Sequence, residues 1–512
     1  MHELLDARRM ARADAAAIAA GIDGLALMDR AGGALADAAR RELAAAGGGP
    51  VTVCAGPGNN GGDGAVVATR LLAEGIDVAL VRAGSAPRPG GDAARALARW
   101  TGPTLDPEAG ARRLERSALA VDALLGAGLS RAPDGDFARL IEAMNASACR
   151  TLAADLPSGL CGDTHLAPGA VVRADATVTF VRYKPAHLLE PGRTLCGSLE
   201  LADIGMPDAA LDGLGIDAWA NLPALWRDAI RAPTPGGHKF DRGHVLVRAG
   251  GVGSGGAARL SAGAALACGA GLVTLACPGS ATLVNAARLD AVMLARADDA
   301  HGWAALLDDA RIGTLLLGPG NGRGAETTRA VLASLRSGRD CVLDADALTS
   351  HVDDPDGRER FLDAARGARG QVVLTPHAGE FARLFGAADD GAPSSKLHRA
   401  RAAARLAGAT VLFKGADTVV AAPDGRASIG VDAPPWLATA GSGDVLAGAV
   451  AALLAQGVPA FEAASAAVWL HGAAARGLGW PLTAEALVGA TGRALAALGL
   501  ARARPAPGGL SA

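Results

Sequence analysis

The chain's 512 residues exceed one ordinary core, and at roughly 150 residues per domain two to four domains are expected. Apolar residues make up 50% and charged residues 20%, a globular composition and not a disordered one. A net charge of −3 excludes a strong whole-protein case for binding nucleic acid or a membrane surface. Aromatics are only 3%, and among 49 basic residues four are lysines: Lys184, Lys239, Lys396 and Lys414. In so arginine-rich a vocabulary, a retained lysine is a residue to locate. The opening MHELLDARRM has no apolar core of a secretory signal. The apolar stretches near Ala262–Cys277 and Val445–Ala455 are too short and broken to span a bilayer of about 30 Å. Seven cysteines without a CxxC pair argue against a zinc site or disulfide framework, so a reducing, cytoplasmic setting is expected.

In chain order, helical patterning around Ala11–Ala46 precedes a short apolar run, Val51–Ala55. Further strands are expected at Val78–Val81, Leu119–Leu124, Thr151–Asp155 and Thr177–Val181. Helices are expected between them at Gly64–Glu74, Asp92–Trp100 and Phe137–Ala146. Short apolar runs alternating with helices indicate a parallel sheet covered on both faces. Periodicity weakens near 205–235, and RAPTPGGHKFDRG (Arg231–Gly243) reads as a junction. The rhythm then restarts. Strands are expected at Val245–Ala249, Leu272–Ala276, Thr314–Leu317, Cys341–Asp344, Val372–Thr375, Thr410–Lys414 and Thr418–Ala421. Helices are expected at Ala257–Cys268, Ala325–Leu335, Lys396–Ala407, Gly443–Ala455 and Ala460–Arg476. Two unlike α/β domains in tandem follow, with a frayed tail.

In the first half, GNNGGDG (Gly58–Gly64) follows a strand and opens a helix, where ligands bind in open α/β sheets. Its spacing is neither GxGxxG nor Walker A, and a purely structural turn would use the same residues. Asp122 and Asp155 end two further strands, so three turns converge on one crevice. Together MDRAG (Met28–Gly32), GNNGGDG, DALLGAG (Asp122–Gly128), DLPSG (Asp155–Gly159) and TFVRYKP (Thr179–Pro185) resemble the NAD(P)HX epimerase family. The resemblance implies a Rossmann-like three-layer αβα domain that interconverts the R and S epimers of hydrated NADH and NADPH at C6. It also implies a potassium ion on Asn60, Asp122 and Ser158, a set of hard oxygen donors. Substrate contacts would come from Asn59, Asn60, Gly61, Gly62 and Asp63, from Gly126, Ala127, Gly128, Leu129, Ser130, Arg131 and Ala132, and from Asp155. Asp155 is the expected catalytic residue for proton transfer, with a positioning role the alternative. Lys184 would face phosphate or assist the chemistry.

In the second half, AGSGD (Ala440–Asp444) starts a long apolar helix, so backbone N–H groups converge beside the Asp444 carboxylate. That arrangement suits deprotonation of a hydroxyl during phosphoryl transfer; an ordinary capped helix would look alike. HKFDRG (His238–Gly243), GAGLV (Gly269–Val273), GPGNG (Gly318–Gly322), DADAL (Asp344–Leu348), TPHAGE (Thr375–Glu380), KGADT (Lys414–Thr418) and AGSGD resemble the ADP/ATP-dependent NAD(P)HX dehydratase family, which has a ribokinase-like α/β fold. Asn321 departs from that pattern, as do Phe240, Val252 and Gly253. The resemblance implies that Ala264, Gly320, His377 and the catalytic Asp444 contact the hydrated dinucleotide. Lys414, Gly415, Ala416, Asp417, Thr418, Gly441, Ser442 and Gly443 would hold ADP or ATP, with magnesium on the phosphates. Lys396 is read as an ordinary surface residue. Expected boundaries are 1–215 for the first domain, 216–232 for a linker, 233–500 for the second domain and 501–512 for the tail. Small molecules are the expected partners, without nucleic acid or membrane, in a homo-oligomer. The alternative is a ribokinase-like vitamin-precursor kinase fused to a non-catalytic nucleotide-binding module.

Overall fold

The computed structural model describes residues 2–129, 131–386 and 395–500, which leaves Ser130 and the tail outside the described residues. The chain divides into two compact units between Ala220 and Asn221.

The first unit holds strands β1 (Val51–Ala55), β2 (Val78–Arg82), β3 (Thr104–Leu105), β4 (Leu119–Ala123), β5 (Arg150–Ala154), β6 (Ala176–Phe180) and β7 (Ser198–Ala202). They lie in the order β3-β2-β1-β4-β5-β6-β7, and neighbouring strands are parallel. From β1 the chain winds outward to β3, then returns past β1 to start β4 and winds the other way. The turns after β1 and β4 therefore part at the switch point, where open α/β sheets leave a crevice. Both strands are buried along their whole length, as a sheet covered on two faces requires.

The stretch expected as one helical region is two helices, Ala7–Ala19 and Gly24–Ala45. Gly21 adopts φ +96° after the first, and the Asp23 side chain caps the second by accepting from the Leu25 N–H. The next helix starts at Asn59, inside GNNGGDG. Its start is compressed against the preceding turn: a Cβ on Gly61 would stand 1.9 Å from the Gly56 carbonyl oxygen. Strands β3 and β7 escape a reading by apolar runs. The first is two residues long, and the second is only partly buried.

The unit boundary falls within β8 (Ala218–Asn221). Within residues 216–232, expected as a linker, one aromatic side chain is fixed. Trp226 is 1% exposed, donates from Nε1 to Asn221 Oδ1 at 3.0 Å and lies 5.7 Å from the Trp469 ring.

Beyond it run β9 (His244–Arg248), β10 (Leu272–Cys277), β11 (Met293–Arg296), β12 (Thr314–Leu317), β13 (Asp340–Leu343), β14 (Val372–Leu374), β15 (Thr410–Phe413), β16 (Val419–Ala421) and β17 (Ala427–Gly430). Strands β9 to β17 take the order β11-β10-β9-β12-β13-β14-β15-β16-β17. They are parallel from β11 to β15, and β16 and β17 are antiparallel. A second switch point thus lies between β9 and β12. No helix among the described residues is long and apolar enough to cross a membrane.

Helices Gly255–Ala267 and Ser442–Ala455 pack closely in this unit. At Gly448 a Cβ would stand 2.1 Å from the Ser261 carbonyl oxygen and 2.9 Å from the Ala264 Cβ. Space at that crossing is spent on bringing Asp444 to its place, since Ser261 Oγ donates to the Asp444 carbonyl at 2.9 Å. Gly448→Val is expected to destabilise the second unit by about 1–3 kcal/mol through overpacking. Thermal unfolding of the variant reads this, and an unchanged midpoint would contradict the close approach.

Candidate active sites

The first site is a cavity of about 620 Å³ at the switch point of the first unit. Asn59, Asn60, Asp63, Gly126, Ala127, Gly128, Leu129, Arg131 and Asp155 line it, together with Lys184. Gly61 and Gly62 are buried in the helix start, and Ala132 is exposed outside the lining.

Two buried polar groups sit at the ends of its strands. Asp155 follows β5 at φ +63° and Val181 follows β6 at φ +65°. For a β-branched valine that is a strained backbone. The reversal brings Lys184 back under the strand ends, with its side chain 2% exposed. Its Nζ donates to Asp155 Oδ1 at 2.5 Å and to Thr179 Oγ1 at 3.0 Å. The Thr179 hydroxyl in turn reaches Asp155 Oδ1 at 2.9 Å. Burial alone would push the Asp155 carboxyl up, but the ammonium and its neighbours outweigh burial and hold it below the usual carboxylate range. His187 completes the clamp. Its Nδ1 accepts from the Lys184 N–H at 2.9 Å, which leaves Nε2 to donate to the Asp155 carbonyl at 2.8 Å. Burial, followed by the nearby ammonium, lowers this imidazole to about 4, so it stays neutral and keeps one tautomer.

Asp122 and Ser158 form the second group. The Ser158 N–H donates to Asp122 Oδ2 at 2.7 Å, and its hydroxyl donates to Oδ1 at 2.6 Å. Burial raises the Asp122 carboxyl to about 6 despite these bonds. Asn60 donates from Nδ2 to the Leu125 carbonyl at 3.0 Å. Its Oδ1 is buried with no hydrogen-bond partner among the described residues. A buried acceptor left unpaired needs a partner, and a monovalent cation is one that suits amide, carboxylate and hydroxyl oxygens together. The expected donor set fits potassium on this ground.

The second site gathers at the ends of β13, β14 and β15. Lys414 Nζ donates to Asp344 Oδ1 at 2.6 Å and lies 3.8 Å from Glu380 Oε2. A Cβ on Gly443 would stand 3.6 Å from the same nitrogen, so Lys414 reaches the start of helix Ser442–Ala455. Gly441 enters that helix at φ +85°, and buried His471 donates from Nε2 to the Ser442 carbonyl at 2.9 Å. Burial first, and then the Asp344 charge, raise the Asp444 carboxyl to about 6, with Lys414 opposing. Asp346 turns elsewhere: its Oδ2 accepts from the Gly322 N–H at 2.8 Å. The chain leaves β13 through Ala345 at φ +47°, which separates the two acids of DADAL.

The remaining expected residues divide. His377 caps helix Ala378–Phe385, its Nδ1 accepting from the Gly379 N–H at 2.9 Å while Glu380 accepts from the His377 N–H at 2.8 Å. Thr418 Oγ1 donates to the Gly415 carbonyl at 2.8 Å, closing the KGADT turn. Gly320, at φ +65°, abuts Ser254. Ala264 is 0% exposed, so its surface lies in the helix crossing and not in an open site. Asn321, a departure from the family pattern, is a turn residue: Nδ2 donates to the Arg248 carbonyl at 2.7 Å and Oδ1 accepts from the Gly318 N–H at 3.0 Å.

One lysine needs correction. Lys396 is no ordinary surface residue, since Nζ donates to Asp417 Oδ1 at 2.5 Å and lies 4.7 Å from the Phe413 ring centre. Lys239, within HKFDRG, is exposed. Glu380 and Asp14 were not anticipated as site residues. Glu380 stood in a quoted motif, whereas Asp14 lies in an alanine-rich helix with no motif around it.

Comparison with known proteins covers both units. Residues 24–186 match a family model described as YjeF-related protein N-terminus, and residues 245–485 match one described as NAD(P)H-hydrate dehydratase. The bifunctional NAD(P)H-hydrate repair enzyme Nnr of Moorella thermoacetica is 37% identical over 442 residues, covering 83% of this chain and 82% of that protein. The enzyme of the same name from Mycobacterium tuberculosis is 37% identical over 466 residues, covering 89% of each. Among solved structures, the ADP/ATP-dependent NAD(P)H-hydrate dehydratase of Bacillus subtilis, co-crystallised with ATP and magnesium, is 26% identical. It covers 54% of this chain and 98% of its own, with a TM-score of 0.47. With both units matched, the reading as a vitamin-precursor kinase fused to a non-catalytic module is set aside. The chain belongs to the family of bifunctional NAD(P)H-hydrate repair enzymes.

Proposed function

We propose that the first unit interconverts R- and S-NAD(P)HX and that the second dehydrates the S epimer to NAD(P)H, consuming ADP or ATP. The observation that carries this reading is a pair of strand-end sites, each built on a lysine–aspartate ion pair. In the first the paired Asp155 is itself the carboxylate that moves a proton, and in the second it is Asp444 beside the pair.

In the second unit Asp444 takes the proton of the C6 hydroxyl. The freed oxygen attacks the terminal phosphoryl group, a new P–O bond forms and the shortened nucleotide leaves. Backbone N–H groups at Gly441 to Gly443 and the Lys414 ammonium face the phosphoryl charge. The C6–O bond then breaks with its electrons leaving on phosphate, C5 gives up a proton and the ring double bond is restored. Phosphate is a far better leaving group than hydroxide, which is why dehydration draws on a nucleotide. Magnesium would accompany the nucleotide phosphates, as is usual for an ion that keeps several waters. Residues Lys414 to Thr418 form the turn that would hold the nucleotide.

In the first unit Asp155 is the base at neutral pH, oriented by Lys184, Thr179 and His187. Asn60, Asp122 and Ser158 would hold the potassium ion, which would supply positive charge beside a buried carboxylate. The reading places the enzyme in the cytoplasm with its small-molecule substrates, as a homo-oligomer.

Purified protein given both NADHX epimers, with potassium and magnesium, should restore the absorbance of reduced nicotinamide and release inorganic phosphate. A stable phosphorylated acceptor instead would sink the repair reading. Asp444→Asn should lower dehydration by about 10²–10⁴-fold while epimer exchange continues. Because Asp444 must be a carboxylate and is raised to about 6, dehydration should climb as pH rises through about 6 and level off above it. A flat profile there would remove Asp444 as the base. Asn60→Ala should raise the potassium concentration for half-maximal epimerisation about tenfold, the loss of roughly 1.4 kcal/mol of binding. Potassium titration of the exchange rate measures it, and an unmoved midpoint would take Asn60 out of the ion site.

A further inference from the structure

Part of the wall of the first cavity comes from helix Ala7–Ala19, which lies upstream of the family match at residues 24–186. Ala7, Met10, Ala11, Asp14 and Ile18 line the cavity. Their spacing is that of one face of a helix, and on that face Asp14 is the polar residue. Packing gives no reason for an acid here, since alanine or leucine would cover the same wall without the cost of partly burying a polar group.

Among the described residues, the Asp14 carboxyl has no hydrogen-bond or ion-pair partner. Burial raises it above the usual carboxylate range. Lys184 opposes that direction and Asp155 reinforces it. Its charge acts in turn on Asp63, which burial together with Asp155 and Asp14 also raises. Asp92 and Arg131 complete the charged groups of the lining. One cavity therefore holds a carboxyl pushed toward its protonated form and another, Asp155, held toward its ionised form. Carboxyls driven apart by their surroundings are how a site obtains an acid and a base from one residue type.

We propose that Asp14 is a catalytic residue of epimerisation, the acid that hands its proton to the C6 hydroxyl of the hydrated nicotinamide. The hydroxyl takes that proton and leaves as water, carrying the electrons of the C6–O bond. The ring nitrogen's lone pair forms a double bond to C6, which becomes planar. Water adds to the other face of C6, the nitrogen recovers its lone pair and Asp155 accepts the surplus proton. Exchange with solvent returns both carboxyls to their starting states. The cation formed midway sits among carboxylates, which suits it electrostatically.

This inference rests on the epimerase reading of the first unit. The test uses the full chain with purified R-NADHX, and R-to-S exchange is followed by NMR across pH. Dehydration of S-NADHX is measured on the same preparations. Asp14→Asn should cut the exchange kcat about a hundredfold with KM little changed, and should remove the fall in rate on the alkaline side. Dehydration of the S epimer should be unchanged. Wild-type rates and pH profile in Asp14→Asn would overturn the proposal, as would a raised KM with kcat and profile intact. If Asp14→Asn loses the cooperative unfolding of its unit, Asp14→Glu decides: a displaced alkaline limb supports proton donation and an unmoved one overturns it. Absence of exchange in the wild type would instead overturn the epimerase reading itself.

Discussion

A lysine buried against an aspartate at the end of a parallel strand is the interaction around which the candidate site of each unit is built. In the first unit it is Lys184 with Asp155, in the second Lys414 with Asp344. Removing one partner of such a pair leaves an uncompensated buried charge, at a cost of about 3–5 kcal/mol. The pair is therefore weak evidence of net stability but strong evidence of a fixed arrangement. Strand order dictates where it stands. Parallel strands deliver their carboxyl ends to one edge, and the reversal of winding opens that edge at the switch point.

The ion pair also decides which neighbouring acids can do work. In the first unit the ammonium keeps Asp155 ionised against the effect of burial. In the second the ammonium is engaged by Asp344 and Glu380, and Asp444 stays raised beside them. At Asp155 the ammonium thus overrides burial, whereas at Asp444 burial, helped by the Asp344 charge, prevails and holds the carboxyl at about 6. Such divergent environments for one residue type mark functional sites.

Much of this was legible in the residues. Strands β1 and β12 are apolar runs bounded by glycine turns, and their ends match the sequence reading. So do the strand-end positions of Asp122, Asp155 and Lys414, and the helix-start position of Asp444. Other features were hidden for physical reasons. Strand β11 is an edge strand with exposed and half-buried residues, so it lacks the continuous apolar signature of its neighbours. Lys396 looks like a helix-surface charge because its partner, Asp417, lies 21 residues away. Asp14 sits in an alanine-rich helix, and the face it shares with Met10 and Ile18 becomes a cavity wall only in the folded unit. Composition located the lysines, but only geometry could tell Lys239 from Lys396.

That distribution has a chemical consequence. Lys184, Lys396 and Lys414 are held in ion pairs with aspartate, at 2.5, 2.5 and 2.6 Å, and Lys239 faces solvent. A nitrogen buried in such a pair is shielded from reagents in solvent, whereas an exposed amine is open to acylation and aldehyde adducts. Lys184, Lys396 and Lys414 are thereby the sheltered amines of the chain, and Lys239 is the one an electrophile in solvent would meet first.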